Sequence, residues 1–389
     1  MYMPGRHKLN VPAYSVSTDR WRDFDWMLFL TMGVLMAFGT ISIWSAVGLP
    51  NPAQELFNDG TKHLLFGIIG LGIMFFFATV DYRYLEAVVW PLYAGGILLL
   101  LAVQTPLGVT VGGAQNWINV GFTLIQPSEF TKITTVLALA SYCAGQGYEM
   151  RRLSNFVIAG LIVALPSGLI LIGPDLGQTM VYIAIWFSSL MAMRTSKLWI
   201  WLTVIMMPLF GLFAWQFVLQ EYQKTRLRVS FNPTIDELGA GYQIIQARTA
   251  IGAGGIFGEG IRGGTQSTLN LLGVAESDFI FAHASGMFGF VGMTGLIIAM
   301  VILIWRCLIV AEVARDQFGQ MIAICAAGMF FFQATLNIGM NVGLMPVAGI
   351  TLPFVSAGVS SLWTSMAFIG ILQSIRMHHR KLGFQPLNS

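Results

Sequence analysis

Residues 279–305 read FIFAHASGMFGFVGMTGLIIAMVILIW: one histidine, and no Asp, Glu, Lys or Arg until Arg306. About 20 consecutive apolar residues suffice to carry a helix across a ~30 Å hydrocarbon core, so this stretch predicts a membrane span with length to spare. The same reading repeats along the chain, over roughly 26–46, 63–80, 87–104, 129–145, 156–172, 177–193, 198–218, 279–309, 319–341 and 354–375. The expectation is therefore an all-α polytopic membrane protein of about ten transmembrane helices. Composition agrees. Of 389 residues 56% are hydrophobic and 10% charged, against about 25% charged in an ordinary soluble domain, too few to cover a globule of this size with polar surface. A net charge of +3 gives no reason to expect nucleic acid as a partner.

The three cysteines, Cys143, Cys307 and Cys325, sit in or beside apolar blocks without the short spacings of a zinc site or a disulfide framework. They read as small buried hydrophobes. The polar N-terminal stretch shows no cleavable signal pattern, so the first apolar block is expected to be a retained helix. Lys and Arg set the orientation. With the N-terminus in the cytoplasm, Arg6, Arg20, Arg22, Arg83, Arg151, Arg152, Arg194, Arg306, Arg315 and Arg376 fall inside, while the short outer loops carry only Lys62. This gives a cytoplasmic tail over 1–25, a ten-helix membrane domain over 26–375, and a cytoplasmic tail over 376–389. Between helices seven and eight lies a long extracytoplasmic loop, 219–278, rich in glycine (Gly252, Gly254, Gly255, Gly258, Gly260, Gly263, Gly264). Two further outer loops, 105–128 with Trp117 and 342–358 with Pro346, Gly349 and Pro353, are also expected. Irregular backbone at membrane depth is tolerated only where protein buries it or it lines a cavity, which argues for a polar cavity open to the outside.

Charges in or beside the hydrocarbon mark function by default, and each has a plainer alternative. Glu129 and Lys132 share a helix face; they are either a neutralised pair at a helix start, or an inward cation for an anionic ligand with its partner. Asp175, in Gly173-Pro174-Asp175-Leu176-Gly177, is either an N-cap or a carboxylate for a metal or a sugar hydroxyl. Asp278 stands where the long loop re-enters the membrane. Partial desolvation there raises a carboxylate's pKa and suits a general base; an N-cap is again the alternative. Arg226 and Arg228 share a face if their stretch is extended and then suit phosphate, or else contact lipid headgroups. Arg306 is expected to snorkel to the inner interface, and His283 to be a hydrogen-bonded buried imidazole.

Several short motifs, in order, resemble the SEDS family (shape, elongation, division and sporulation), its RodA branch most closely. They are Gly113-Ala114-Gln115-Asn116-Trp117-Ile118, Gln126-Pro127-Ser128-Glu129 with Lys132, Pro174-Asp175-Leu176-Gly177, Gly239-Ala240-Gly241-Tyr242-Gln243, Gly264-Thr265-Gln266, Asp278-Phe279-Ile280-Phe281-Ala282, Asn337-Ile338-Gly339-Met340-Asn341 and Pro353-Phe354-Val355-Ser356. The resemblance implies a peptidoglycan glycosyltransferase of the bacterial cytoplasmic membrane. It would polymerise lipid II, a disaccharide-peptide on undecaprenyl pyrophosphate, during cell elongation and rod-shape maintenance. The implied partners are a class B penicillin-binding protein, other elongation-complex proteins and membrane lipids. The family's essential aspartate falls on Asp278, its conserved Glu and Lys on Glu129 and Lys132, and a further aspartate on Asp175. On this basis Asp278 is the expected general base. Lys132, Arg226 and Arg228 are the expected cations for the leaving pyrophosphate, with Trp117, Glu276 and Ser356 as further substrate contacts. A divalent cation, magnesium or manganese, is expected at Asp175 or Glu129. The chain departs from the family pattern at Asn116, where Arg is usual, at Gly273–Ser277, at Gly286 and Met287, and at Ala357-Gly358-Val359. Two other functions compete: a lipid II flippase, which needs charged groups on both sides of the bilayer, and a non-catalytic scaffold for the cross-linking enzyme. The clustering of unusual charges on one side favours the polymerase.

Overall fold

The computed structural model describes residues 18–47, 58–111, 113–121, 123–146, 152–193, 196–217, 219, 221–236, 239–261 and 272–379. Most of both expected tails, and the Gly263-Gly264-Thr265-Gln266 stretch, lie outside them. Ten long helices coincide with the ten expected spans: α1 (Trp26–Val47), α2 (Asp59–Thr79), α3 (Arg83–Val103), α4 (Pro127–Gln146), α5 (Leu153–Ile172), α6 (Leu176–Ala192), α7 (Lys197–Phe217), α10 (Ile280–Val313), α11 (Gln317–Val342) and α12 (Val359–Met377). Among the described residues seven of these, α1, α2, α3, α5, α7, α10 and α11, are long and apolar enough to cross a membrane by composition alone. The other three are shorter or more polar. α6 has only 17 residues. α4 and α12 carry polar stripes, Ser128, Lys132 and Thr135 on one and Ser360 and Thr364 on the other, and neighbouring helices bury them. A helix that meets protein on every side does not have to be uniformly apolar.

The bundle has two unlike ends. At one end α1, α10 and α12 are tied together by Asp25. Its carboxylate accepts hydrogen bonds from Arg306, at 2.6 Å for the closest, and its backbone is gripped by both ends of the Gln373 amide. Arg306, expected to snorkel to the inner interface, keeps 14% of its side chain exposed and pairs with Asp25, whose side chain is only 1% exposed and needs a countercharge.

The other end bears the long connections. The expected outer loop 105–128 contains a three-stranded antiparallel sheet, β1 (Gly108–Val111), β2 (Ala114–Asn119) and β3 (Leu124–Ile125), in the order β1-β2-β3. Val109 opposes Trp117 and Ile118 opposes Ile125; β-branched and aromatic residues flanking tight glycine turns make the strands. Among its described residues the segment 219–278 contains two helices, α8 (Glu221–Phe231) and α9 (Ala240–Ala253), joined through a 3-10 turn at Pro233–Asp236. α9 packs its buried Ile244, Ala247 and Ala250 onto the bundle beside α10 and α11.

α10 has 34 residues, roughly 50 Å of helix at 1.5 Å per residue, more than a bilayer needs. It is broken at Gly289, whose φ of 60° and ψ of −165° are not helical. The backbone groups freed by the break are taken up by the glycine-rich turn after α9. Glu259 N donates to Gly286 O, Gly260 N to Met287 O, Phe290 N to Gly255 O and Val291 N to Ile256 O, all at 2.8–3.1 Å. The last connection, 343–358, presses into the bundle. A Cβ on Gly39 of α1 would stand 2.5 Å from the Val355 carbonyl, and one on Gly177 of α6 would stand 2.1 Å from that of Ala348.

Candidate functional site

Asp278 lies in the turn that leads into α10. The turn is wound around the carbonyl of Val274, which accepts from the backbone N–H of Ser277 and Phe279, with Val274 itself at φ 55°. Asp278 does not cap the helix: the N-cap is Phe279, with no side-chain cap bond. Its backbone is held from α11 instead. Asn337 Nδ2 and Asn341 Nδ2 both donate to the Asp278 carbonyl, at 3.2 and 3.0 Å, and Asn341 Oδ1 accepts from Ala282 N at 3.0 Å. From the last connection, Ser356 Oγ donates to Ser277 O at 2.6 Å and Ala357 N to Glu276 O at 2.8 Å. The carboxylate remains half-buried, beside Gly349. Burial pushes its pKa up, to about 6, against the opposing pull of the Ser277 hydroxyl and the Arg226 guanidinium; the charge of Glu276 adds to the rise.

Asp175 does cap its helix, accepting from Gln178 N at 2.9 Å through Oδ1. Its other oxygen takes two amide donors, Asn116 Nδ2 of β2 at 3.0 Å and Gln126 Nε2 from the start of α4 at 3.2 Å. Burial again dominates and lifts the pKa to about 6, with the negative charges of Glu129 and Asp278 contributing and Lys132 opposing. The Asn that stands where the resemblance leads one to expect Arg therefore gives Asp175 a neutral partner. Below this cluster, Lys132 Nζ pairs with Glu129 Oε2 at 2.7 Å, and Gln178 Nε2 donates to Glu129 Oε1 at 2.8 Å. The pair is enclosed, with side chains 0% and 2% exposed. Lys132 thus acts on the surface only through its field.

The two arginines are separated by the fold. Their stretch is helical (α8), not extended, so a spacing of two residues turns them about 200° apart. Arg226 is exposed and its charge is felt by Asp278, whereas Arg228 lies over the Trp215 ring, 5.3 Å from its centroid. Trp117 is half-buried in β2 opposite Val109. Ser356 commits its hydroxyl to backbone, donating to Ser277 and accepting from Leu352 N at 2.8 Å. His283, fully buried, hydrogen-bonds the backbone of Ser42. The carboxylates expected to bind a divalent ion do not fit one. Both Asp175 oxygens and both Glu129 oxygens already face N–H donors or an ammonium, and the described residues contain no group of three His, Cys, Asp or Glu placed for a metal.

The residues whose roles sequence reasoning missed are amides: Asn116, Gln126, Gln178, Asn337 and Asn341. A signal existed for the last two. Asparagines four apart in an apolar helix share a face, and unpaired they would be costly to bury.

Residues 25–381 match the family of cell cycle proteins that comprises FtsW, RodA and SpoVE. The peptidoglycan glycosyltransferase MrdB of Escherichia coli is 36% identical over 360 residues, covering 91% of this chain and 94% of that protein. The peptidoglycan glycosyltransferase RodA of Treponema pallidum is 32% identical, covering 91% and 97%. Among solved structures, a chain of a peptidoglycan synthase complex that coordinates polymerization and crosslinking superposes with a TM-score of 0.74 at 27% identity, covering 92% of this chain and 98% of that one.

Proposed function

This chain belongs to the FtsW–RodA–SpoVE family of cell cycle proteins, and from that premise we propose how it works as a peptidoglycan glycosyltransferase of cell elongation. Its substrate is lipid II. It lies in the bacterial cytoplasmic membrane with both termini inside, so that Asp278 and its surroundings face outward. The observation that carries the reading is the state of Asp278: a half-buried carboxylate in a braced turn, not spent on a helix cap, with raised proton affinity and an arginine charge nearby.

The acceptor's sugar hydroxyl gives its proton to the Asp278 carboxylate as its oxygen attacks the donor's anomeric carbon. The bond from that carbon to the pyrophosphate oxygen breaks, and the electron pair leaves with the pyrophosphate. Negative charge grows on the leaving group, where a preorganised cation is most effective. Arg226, whose charge reaches Asp278, supplies it, with Arg228 farther round the same helix. Glu129, Lys132 and Asp175 hold the floor of the site, Ser356 braces the Asp278 turn in which Glu276 stands, and Trp117 follows Asn116, the Asp175 partner, on β2. Because the carboxylates do not fit a divalent ion, no step is assigned to one. A class B penicillin-binding protein, working within the elongation complex, is the partner that cross-links the strands, in keeping with the synthase complex that this chain resembles.

The test is Asp278→Asn in purified full-length protein given lipid II. Removing a general base is expected to cost about 10²–10⁴-fold in polymerisation rate, while folding and lipid II binding persist. Wild-type glycan synthesis by the variant would refute the assignment, and failure of the wild-type protein to make long glycans would revive a flippase or scaffold role.

A further inference from the structure

α11 brings two amides, one turn apart on one face, to the same carbonyl oxygen, and that oxygen belongs to Asp278. Each Asn side chain has two N–H groups to place. Those of Asn337 go to Asp278 O and Ile350 O; those of Asn341 go to Asp278 O and Asn337 O. Both residues are 0% exposed. Burying an amide is costly unless it is bonded, and here all four donors are. A carbonyl has two lone pairs, and both at Asp278 are taken. Asn341 Oδ1 also holds Ala282 N. The peptide that carries the Asp278 side chain cannot rotate without breaking bonds to a 26-residue helix, and Asn337 ties the same point to the last connection at Ile350.

We propose that Asn337 and Asn341 are positioning residues for the glycosyl transfer: by fixing the Asp278 peptide they hold its carboxylate where the acceptor hydroxyl arrives. The inference rests on Asp278 being the base. A merely structural account, in which Asn341 caps α10, explains its bond to Ala282 N. It does not explain why two side chains converge on the carbonyl of Asp278, or why Asn337, which bonds no N–H of α10, takes part.

Asn341→Leu and the milder Asn337→Ser, in full-length protein with lipid II as the probe, test this alongside Asp278→Asn. A base displaced by about 1 Å loses on the order of 100-fold in rate. The expected result is a fall of that size in kcat, with KM and direct lipid II binding close to wild type, and with melting temperature lowered in Asn341→Leu only by the cost of the orphaned Ala282 N–H, and less in Asn337→Ser. Unchanged kcat in either folded variant overturns the inference. So does a loss of binding and melting temperature in step with the rate, since that is what a structural brace alone would give. If Asp278→Asn itself keeps full activity, it is the assignment of the base that fails, and the parallel assay distinguishes the two failures.

Discussion

Asp278 and Asp175 show how far a residue's type and place go. Both were legible as carboxylates at a membrane edge, but sequence left each open between cap and functional group. The structure assigns the cap to Asp175 and withholds it from Asp278. The difference depends on which backbone N–H groups point where, and that is fixed by turns closed from distant helices. The arginines fail in the sequence reading for a local reason: a spacing of two means the same face in a strand and nearly opposite faces in a helix, and α8 is a helix. The raised pKa of Asp278 has a signed consequence. A base works only when ionised, so kcat/KM should be level above neutrality and fall as pH drops through about 6. The charged groups facing Asp278 are Arg226 from α8, Glu276 of its own turn and Asp175 at the start of α6. Asp175 and Asp278 repel as like charges, so each holds the other's proton affinity up. In Asp175→Asn the acid limb should therefore move to lower pH, as a pH–rate series on both proteins would show.

At the scale of elements, long apolar helices were the most legible feature and short amphipathic ones the least. α8, α9 and the β-sheet lie in stretches where glycine density suggests loops, yet Ile244, Ala247 and Ala250 on α9 find a buried surface to pack on. Only the assembled bundle provides that surface. The break in α10 is of the same kind. A span that is too long for the bilayer hints at a bend, but not that the bend is at Gly289 or that the turn at 254–260 satisfies its backbone. Gly289 needs to be glycine for two reasons: its φ of 60° is strained for other residues, and a Cβ would stand 2.3 Å from Gly258 N. Gly289→Ala should therefore destabilise the protein by at least the ~1–3 kcal/mol of such backbone strain. Gly295→Ala, in the same helix with nothing within 4 Å of the added carbon, should be neutral or gain up to about 1 kcal/mol from helix propensity. Thermal unfolding of the two variants in one detergent makes the comparison.

At the scale of the whole molecule, the Lys132–Glu129 pair reports on the interior. Breaking a buried pair leaves an uncompensated charge, whereas removing both partners does not. Lys132→Met is thus expected to cost about 3–5 kcal/mol, and Lys132→Met combined with Glu129→Gln to recover most of that loss, as read from denaturation midpoints. The sequence by itself determined that the chain crosses the membrane about ten times and that its unusual charges gather toward one end, because burial in lipid demands long apolar helices and leaves few places for charge. Only the tertiary structure decided which helices are enclosed by others, which of the two carboxylates caps its helix, and that two asparagines from α11 grip the backbone of Asp278. Those outcomes depend on packing between helices and on hydrogen bonds between residues 49 to 63 positions apart, and a bond of that kind leaves no periodicity for a sequence reading to detect.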